Sequence, residues 1–194
     1  MELTTFPSDR YYIKAQRRQR KRKSDLPAYT DREISAIARY QSGLISRDSP
    51  KVLLGICHGA RGGREADRLL AYLPGNVEMV STDLFPELGK VIEWDFSQPK
   101  EGWKDHFHFV YSNSLDHARH PMDTLRVWFS QLIKSEVGRL YIQWTTCHKG
   151  VHGGDCFGAT LDEYISLIDE AGEVVDLLYC GDGLTVIVAK RRDL

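Results

Sequence analysis

The segment from Leu53 to Leu70, which reads LLGICHGARGGREADRLL, carries the strongest chemical signal in the chain. A short apolar run enters a turn that contains Gly59, Gly62 and Gly63, and glycine lets backbone N–H groups approach a ligand closely. The residues after the turn repeat apolar side chains at the spacing of one buried helix face, at Ala66, Leu69, Leu70 and Leu73. The segment therefore predicts a strand, a ligand-binding loop and a helix.

An acidic residue follows the next apolar run. Val77 to Ser81 has the composition of a second strand, and Asp83 comes after it, where open α/β folds hold the hydroxyl groups of a ribose. The phosphate-binding pattern GxxxxGK with Ser or Thr is absent, and His58, Ala60 and Arg61 interrupt the dinucleotide pattern GxGxxG. We therefore expect a nucleoside-containing cofactor, with tight strand–helix packing as the other explanation of the glycines.

Length and composition indicate one cytoplasmic domain. The chain has 194 residues, 42% of them hydrophobic, which is enough for one sizeable core and too little for two ordinary enzyme domains. It has no run of about eighteen apolar residues and no signal-peptide core at its N-terminus, so we expect a cytoplasmic protein without a membrane span. Its 4 cysteines are too few for a disulfide scaffold, and we expect reduced thiols.

Basic residues are concentrated near the N-terminus. The first 25 residues contain eight Lys or Arg and three Asp or Glu, although the formal net charge of the chain is −1. The block from Lys14 to Lys23 has almost no apolar content, so we expect residues 1–29 to form a basic arm that does not pack into a core. The arm would either contact the phosphates of RNA or another polyanion, or form a solvated, partly helical extension.

Residues 30–194 have the pattern of one α/β domain. Thr30 and Glu33 form a capping box for a helix through about Leu44. Apolar runs predict strands at 52–56, 77–81, 91–94, 107–111, 140–144, 174–179 and 184–189, with helices between them. The connection from Cys180 to Gly183 has a hairpin length, so the sheet should be mostly parallel and end in an antiparallel β-hairpin, with helices on both faces.

The order of these elements resembles that of the class I S-adenosylmethionine-dependent methyltransferases, over about Lys51 to Lys190. LLGICHGARGG stands where that family has its cofactor loop, and VSTDL places Asp83 where an acid binds the ribose. WDF places Asp95 where the family has an acid or amide facing adenine, and FVYSNSLDH lies where substrate and methyl group meet. More narrowly, the chain looks like a methyltransferase-like subgroup with a CHG loop. The resemblance implies a Rossmann-like fold and S-adenosylmethionine as cofactor.

The resemblance also implies the cofactor-binding residues, which are Cys57, His58, Gly59, Arg61, Asp83, Leu84, Asp95, Phe96 and Asn113. Cys57 and Arg61 depart from the family pattern, which commonly has glycine at both positions. Arg61 would either contact the carboxylate of the cofactor's methionine end or lie on the surface. The segment around Asn113 lacks the two prolines and the aromatic residue of amino-methylating enzymes, which argues against base N-methylation by that arrangement.

Methyl transfer requires both partners to be held close together, and a weak nucleophile must also lose a proton. Asp116 and His117 lie just beyond the predicted fourth strand and are the best-placed acid or base residues. Their alternative roles are structural, with Asp116 capping the next turn and His117 bonded to the backbone.

Five potential metal ligands follow the predicted fifth strand, namely Cys147, His148, His152, Asp155 and Cys156. Two thiols and two imidazoles could enclose zinc tetrahedrally. The spacing matches no familiar zinc finger, and adjacent Cys147 and His148 are poorly placed to bind one ion. We therefore expect no metal at these residues and instead a flexible lid on the substrate side, hinged at its glycines.

These observations favour an enzyme that transfers a methyl group from S-adenosylmethionine to an acceptor that the sequence does not identify. The alternative is a catalytically silent protein of the same fold, which would bind RNA or another polyanion through Lys14 to Lys23.

Overall fold

The computed structural model describes residues 1–22, 30–45, 52–87, 89–151 and 154–192, and their apolar runs form strands and helices in regular alternation. The strands are β1 (Glu2–Leu3), β2 (Val52–His58), β3 (Asn76–Asp83), β4 (Ile92–Glu93), β5 (Phe109–Ser112), β6 (Arg139–Thr145), β7 (Phe157–Gly158), β8 (Glu173–Gly181) and β9 (Leu184–Lys190). The helices are α1 (Asp9–Arg22), α2 (Asp31–Leu44), α3 (Arg64–Tyr72), α4 (Pro121–Gln131) and α5 (Leu161–Ala171).

Seven strands make one mixed sheet, in the order β4-β3-β2-β5-β6-β9-β8. In this order, strands β4, β3, β2, β5 and β6 are parallel to one another, whereas β9 is antiparallel to both of its neighbours, β6 and β8. The predicted hairpin at the end of the sheet is therefore confirmed. The turn of this hairpin is shorter than predicted because β8 continues to Gly181. Asp182 and Gly183 connect the strands with φ angles of 53° and 73°, and a two-residue type I′ turn requires positive φ at both positions.

Helices cover both faces of the sheet, as the sequence predicted. α2 and α3 bury Ile37 and Leu69 in a core cluster on one face, and α4 and α5 bury Trp128 and Ile168 in a cluster on the other. Thr30 caps α2 and the capping box with Glu33 is present. Because neighbouring residues of a strand point to opposite faces, each central strand contributes to both clusters.

Two predicted strands are shorter in the structure. The strand predicted at 107–111 begins at Phe109, because Phe107 makes an isolated bridge to Leu132. The strand predicted at 91–94 is reduced to Ile92–Glu93, which extends the edge of the sheet beyond β3.

The basic N-terminal segment forms α1, and one side of this helix packs on the domain. Tyr12, Gln16 and Gln19 lie at the spacing of one helix face, and Tyr12 and Gln19 are buried. Lys14 and Arg18 are exposed. The expectation that the arm does not pack is therefore wrong for the inner face of α1. The predicted end of the arm at residue 29 lies outside the described residues and stays a prediction.

Among the described residues, no helix has both the length and the apolar character needed to cross a lipid bilayer.

Candidate cofactor pocket

The glycine loop joins β2 to α3 in a backbone conformation that its glycines permit. Gly59 and Gly63 have φ angles of 72° and 74°, in the left-handed region that glycine adopts without steric cost. A Cβ atom on Gly59 would lie 2.3 Å from Oγ of Ser114. Arg61 adopts the same region, with φ of 47°, although it carries a side chain. The loop is therefore held tightly against the turn that follows β5.

Asp83, the last residue of β3, fixes this loop. Its Oδ2 accepts the backbone N–H of Arg61 at 2.9 Å, and its Oδ1 accepts the backbone N–H of Phe85 at 2.7 Å. A carboxylate has about four lone-pair sites, so both oxygens can accept a further hydrogen bond. Asp83 can therefore hold the loop and bind hydroxyl groups of a ligand at the same time.

The loops after β2, β3 and β5 surround one pocket at the carboxyl edge of the parallel strands. Open α/β sheets bind their ligands at this edge. The empty space in the pocket is about 570 Å³, a figure that includes the open solvent at its mouth. Its walls are Tyr12, Gln16, Gln19, Gly59, Arg61, Asp83, Leu84, Phe85, Phe96, Ser114 and His117.

More than half of the predicted cofactor-binding residues line this pocket, namely Gly59, Arg61, Asp83, Leu84 and Phe96. The predicted catalytic residue His117 lines it as well. The structure does not bring Cys57, His58, Asp95 and Asn113 to the lining.

Cys57 and His58 point into the core on opposite faces of β2. The ring nitrogens of His58 lie 2.8 Å from Oγ1 of Thr82 and 2.8 Å from Oε1 of Gln131, and the ring stacks on Trp128 at a centroid distance of 5.4 Å. Burial lowers the pKa of His58 to about 4, so the ring is neutral at physiological pH. Cys57 packs under α2 and α3, where burial raises the pKa of its thiol. Both side chains contribute to packing.

Asp95 and Asn113 stabilise the turns beside the pocket. Oδ1 of Asp95 accepts the N–H and the hydroxyl of Ser97, at 3.0 and 2.6 Å. Oδ1 of Asn113 accepts the hydroxyl of Ser114 at 2.9 Å. Phe96, which follows Asp95, and Ser114, which follows Asn113, line the pocket instead.

α1 supplies pocket residues that the sequence analysis missed. The hydroxyl of Tyr12 donates to the carbonyl of His117 at 3.3 Å, and Nε2 of Gln16 donates to the carbonyl of Gly154 at 2.7 Å. Burial raises the pKa of Tyr12, so its hydroxyl keeps the proton that it donates. The spacing of Tyr12, Gln16 and Gln19 on one face was the available signal, but two of the three side chains are amides rather than apolar groups.

Asp116 and His117 lie in the short turn after β5, with Asp155 beside them. Nε2 of His117 is 3.8 Å from Oδ2 of Asp116, and Nδ1 of His117 is 3.8 Å from Oδ1 of Asp155. These distances exceed that of a hydrogen bond. Nε2 of Gln19 donates to Oδ1 of Asp155 at 2.8 Å, and the N–H of Cys156 donates to the carbonyl of Asp116 at 2.7 Å. The loop before β7 is thus tied both to α1 and to the turn after β5.

The potential metal ligands that the sequence suggested between Cys147 and Cys156 do not form one cluster among the residues that the structure describes. Cys147 is exposed, Cys156 is buried, and the ring of His148 stacks on Tyr164 at 6.1 Å. His152 lies outside the described residues. Among the residues that the structure describes, one group of His, Cys, Asp or Glu side chains lies close enough together to hold an ion. It consists of Asp116, His117 and Asp155.

The solved structures similar to this chain include methyltransferases. The CurJ carbon methyltransferase is 16% identical with a TM-score of 0.66, over 82% of this chain and 54% of its own. A chain from the Haloferax volcanii complex between the Trm112 methyltransferase activator and a methyltransferase is 15% identical with a TM-score of 0.65, over 96% of this chain and 99% of its own. A SAM-dependent methyltransferase from Aquifex aeolicus is 11% identical with a TM-score of 0.60, over 88% of this chain and 96% of its own.

These likenesses identify the fold. The chain has the Rossmann-like fold of class I methyltransferases, with a mostly parallel sheet that ends in an antiparallel hairpin. It spans about half the length of the solved CurJ carbon methyltransferase chain. No known family model and no curated protein sequence matches the chain.

Proposed function

We propose that this chain is an S-adenosylmethionine-dependent methyltransferase that binds its cofactor in the pocket described above. The observation that carries the proposal is the position of Asp83. Its carboxylate ends β3, lies in the pocket wall, and accepts the N–H groups of Arg61 and Phe85 with lone pairs to spare. A ribose presents two neighbouring hydroxyl donors, which suit a carboxylate in this position.

The rest of the pocket fits the other parts of the cofactor. Leu84, Phe85 and Phe96 offer apolar walls to the adenine ring. Gly59 lies in the pocket wall, where its lack of a side chain lets Ser114 pack against the loop. Arg61 is the cationic wall residue for the methionine carboxylate. When bound, the cofactor supplies an electrophilic methyl group on a sulfonium ion.

The acceptor side of the proposed site lies at His117 and Asp116. His117 is a wall residue of the pocket, and its backbone carbonyl is held by the hydroxyl of Tyr12. An imidazole beside a carboxylate can take a proton from an acceptor or orient it. We therefore assign the imidazole of His117 to the acceptor and Asp116 to the support of that ring.

Calorimetric titration with S-adenosylmethionine and S-adenosylhomocysteine tests the proposal. The wild-type protein should bind both ligands. A charge-assisted hydrogen bond contributes about 1.5 to 3 kcal/mol, so Asp83→Ala should weaken both ligands at least tenfold. Asp123→Ala is the matched control, since Asp123 is an exposed carboxylate on α4 that pairs with Arg126.

Asp83 also orders the loop, so a folding control is needed. Asp83→Asn keeps one acceptor oxygen and loses the charge, and circular dichroism and thermal melting report whether either variant is folded. Unchanged ligand affinity in a folded Asp83 variant would remove this residue from the site and contradict the cofactor proposal.

A polyanion contact through Lys14 to Lys23 remains a second part of the proposal, as a partner of the enzyme. It is supported by the exposure of Lys14 and Arg18 on the outer side of α1. The methyltransferase neighbours and the lined pocket favour the enzyme over the catalytically silent alternative. The CHG-loop subgroup and a cytoplasmic location are likewise proposals.

A further inference from the structure

We propose that Asp116, His117 and Asp155, here named the carboxylate–histidine triad, bind a divalent cation at the edge of the pocket. Asp116 and His117 come from the turn after β5, and Asp155 comes from the loop before β7. One potential ligand atom from each residue lies within 4.8 Å of the other two. The fold thus brings together residues that are almost forty positions apart in the sequence.

The spacing in the triad suits an ion between the side chains better than direct contact. Each ring nitrogen of His117 faces a carboxylate oxygen at 3.8 Å, which is too long for a hydrogen bond. Two ligands that meet one cation at right angles, with bonds of about 2.1 Å, are about 3 Å apart. An imidazole gives one ion only one of its nitrogens, so the two 3.8 Å gaps do not belong to one coordination sphere. The shared set is one ligand atom from each residue, all within 4.8 Å of one another, and these atoms would have to draw closer around the ion.

Buried polar atoms around the triad lack partners. Asp116 is 4% exposed, and its Oδ1 has no hydrogen-bond partner among the described residues. Nδ1 of His117 is also buried and has no hydrogen-bond partner among them. Native proteins rarely leave such atoms unsatisfied. A bound cation would satisfy them, and a bridging water is the alternative occupant.

Gln19 gives a second, independent indication. Its side chain is aimed at the triad, because Nε2 donates to Oδ1 of Asp155 at 2.8 Å. It is 9% exposed, and its Oε1 has no hydrogen-bond partner among the described residues. A residue that orients a ligating carboxylate in this manner is a usual companion of a metal ligand.

Asp116 and Asp155 also act on a buried hydroxyl group that is not part of the triad. The buried hydroxyl of Tyr164 lies in the field of both Asp116 and Asp155, which, after burial, raise its pKa further. A cation in the triad would offset this field.

The donor set indicates the kind of cation. Two carboxylates and one imidazole suit Mn²⁺, which accepts oxygen and nitrogen ligands and binds further groups besides three protein ligands. Because His117 also lines the pocket, open coordination positions would face it. There an oxygen donor of the methyl acceptor could complete the coordination. With a ring nitrogen of His117 on the ion, His117 and Asp116 would orient the acceptor through the ion and would not take its proton. This role of the ion rests on the proposed function, whereas the cation site itself does not.

Titration of metal-free protein with Mn²⁺ tests the proposal, with free Mn²⁺ measured by electron paramagnetic resonance and Zn²⁺ and Mg²⁺ titrated in parallel arms. We expect one Mn²⁺ per chain. Asp116→Asn and Asp155→Asn should each weaken binding more than tenfold, and Gln19→Leu, which acts through Asp155, should weaken it about tenfold. Asp123→Asn on α4 is the matched control and should bind as the wild type does.

Two outcomes would overturn the cation site. One is that the wild type takes up none of the three cations; the other is that the folded triad variants match Asp123→Asn. If buried Asp116→Asn does not fold, the less buried His117→Gln and Asp155→Asn decide the matter. Titration of S-adenosylmethionine keeps the two proposals distinguishable, because triad-dependent Mn²⁺ binding without cofactor binding would refute the methyltransferase and leave the cation site standing.

Discussion

Glu33 is a buried carboxyl group whose titration should set the pH dependence of stability. Its Oε1 accepts the hydroxyl of Tyr111, and its Oε2 accepts Nε2 of Gln143 at 2.9 Å, so it ties α2 to the sheet. Burial raises the pKa of Glu33 from 4.5 to about 7 despite these bonds. Because the folded-state pKa is raised, the contribution of Glu33 to stability is fully present below about pH 4.5 and is lost as the pH rises through 7. At about 1.4 kcal/mol per pH unit, the loss is about 3 kcal/mol.

His58 should act in the opposite direction. Burial lowers its pKa from 6.5 to about 4. Its contribution is therefore present above about pH 6.5 and is lost as the pH falls through 4. The two windows overlap between about pH 4.5 and 6.5, where the slopes cancel in the wild type.

Glu33→Gln should remove the pH-dependent contribution of Glu33 to stability and leave that of His58 in place. The variant keeps the shape and one acceptor oxygen, while the Tyr111 hydroxyl can accept as well as donate. Urea unfolding followed by circular dichroism, between pH 4.5 and 8, gives the free energy of unfolding of both proteins. The wild-type value minus the variant value should fall by about 3 kcal/mol as the pH rises from 4.5 to 7.5. Parallel curves for the two proteins would refute the assignment of a raised pKa to Glu33, whatever constant offset the substitution causes.

The remaining predictions concern His58, the acceptor side and the basic face of α1. For His58→Asn, the wild-type minus variant free energy of unfolding should rise between pH 4 and 6.5, opposite to Glu33→Gln; a flat difference would show that His58 titrates normally. Asp116→Asn and His117→Ala should bind S-adenosylmethionine as the wild type does and, once an acceptor is known, should lose about 100-fold or more in turnover, so full activity of both would disprove their role. Replacing both Lys14 and Arg18 by Ala should reduce salt-sensitive retention on heparin without changing cofactor affinity, and equal retention would show that this face binds no polyanion.

Periodic hydrophobicity predicted the architecture because burial itself is periodic in this fold. The strands from β2 to β9 that make up the sheet core follow apolar runs, and α3, α4 and α5 follow apolar residues at helical spacing. Residues 180–183 carried the turn chemistry of a hairpin, and only the two-residue length of its loop differed. In each case, a short window of sequence determines the element.

The candidate site was harder to predict because it depends on orientation and on distant contacts. The motif assigned both Cys57 and His58 to the cofactor, but a strand sends consecutive side chains to opposite faces, and both are buried. Asp155 was considered only with its neighbours in sequence, whereas it meets Asp116 and His117 through the folding of β6 and its following loop. Which individual residues belong to the site could therefore be decided only from the three-dimensional structure.

α1 changes what a truncation of the basic arm would measure. Deleting residues 1–23 would remove not only exposed Lys14 and Arg18 but also Tyr12, Gln16 and Gln19, which line the pocket and bond to residues 117, 154 and 155. The deletion would therefore weaken cofactor binding even if the arm contacted no polyanion. Point substitutions on the outer face avoid this confusion, because they leave the inner face in place. The same helix thus carries two separable surfaces, and only the inner one belongs to the pocket.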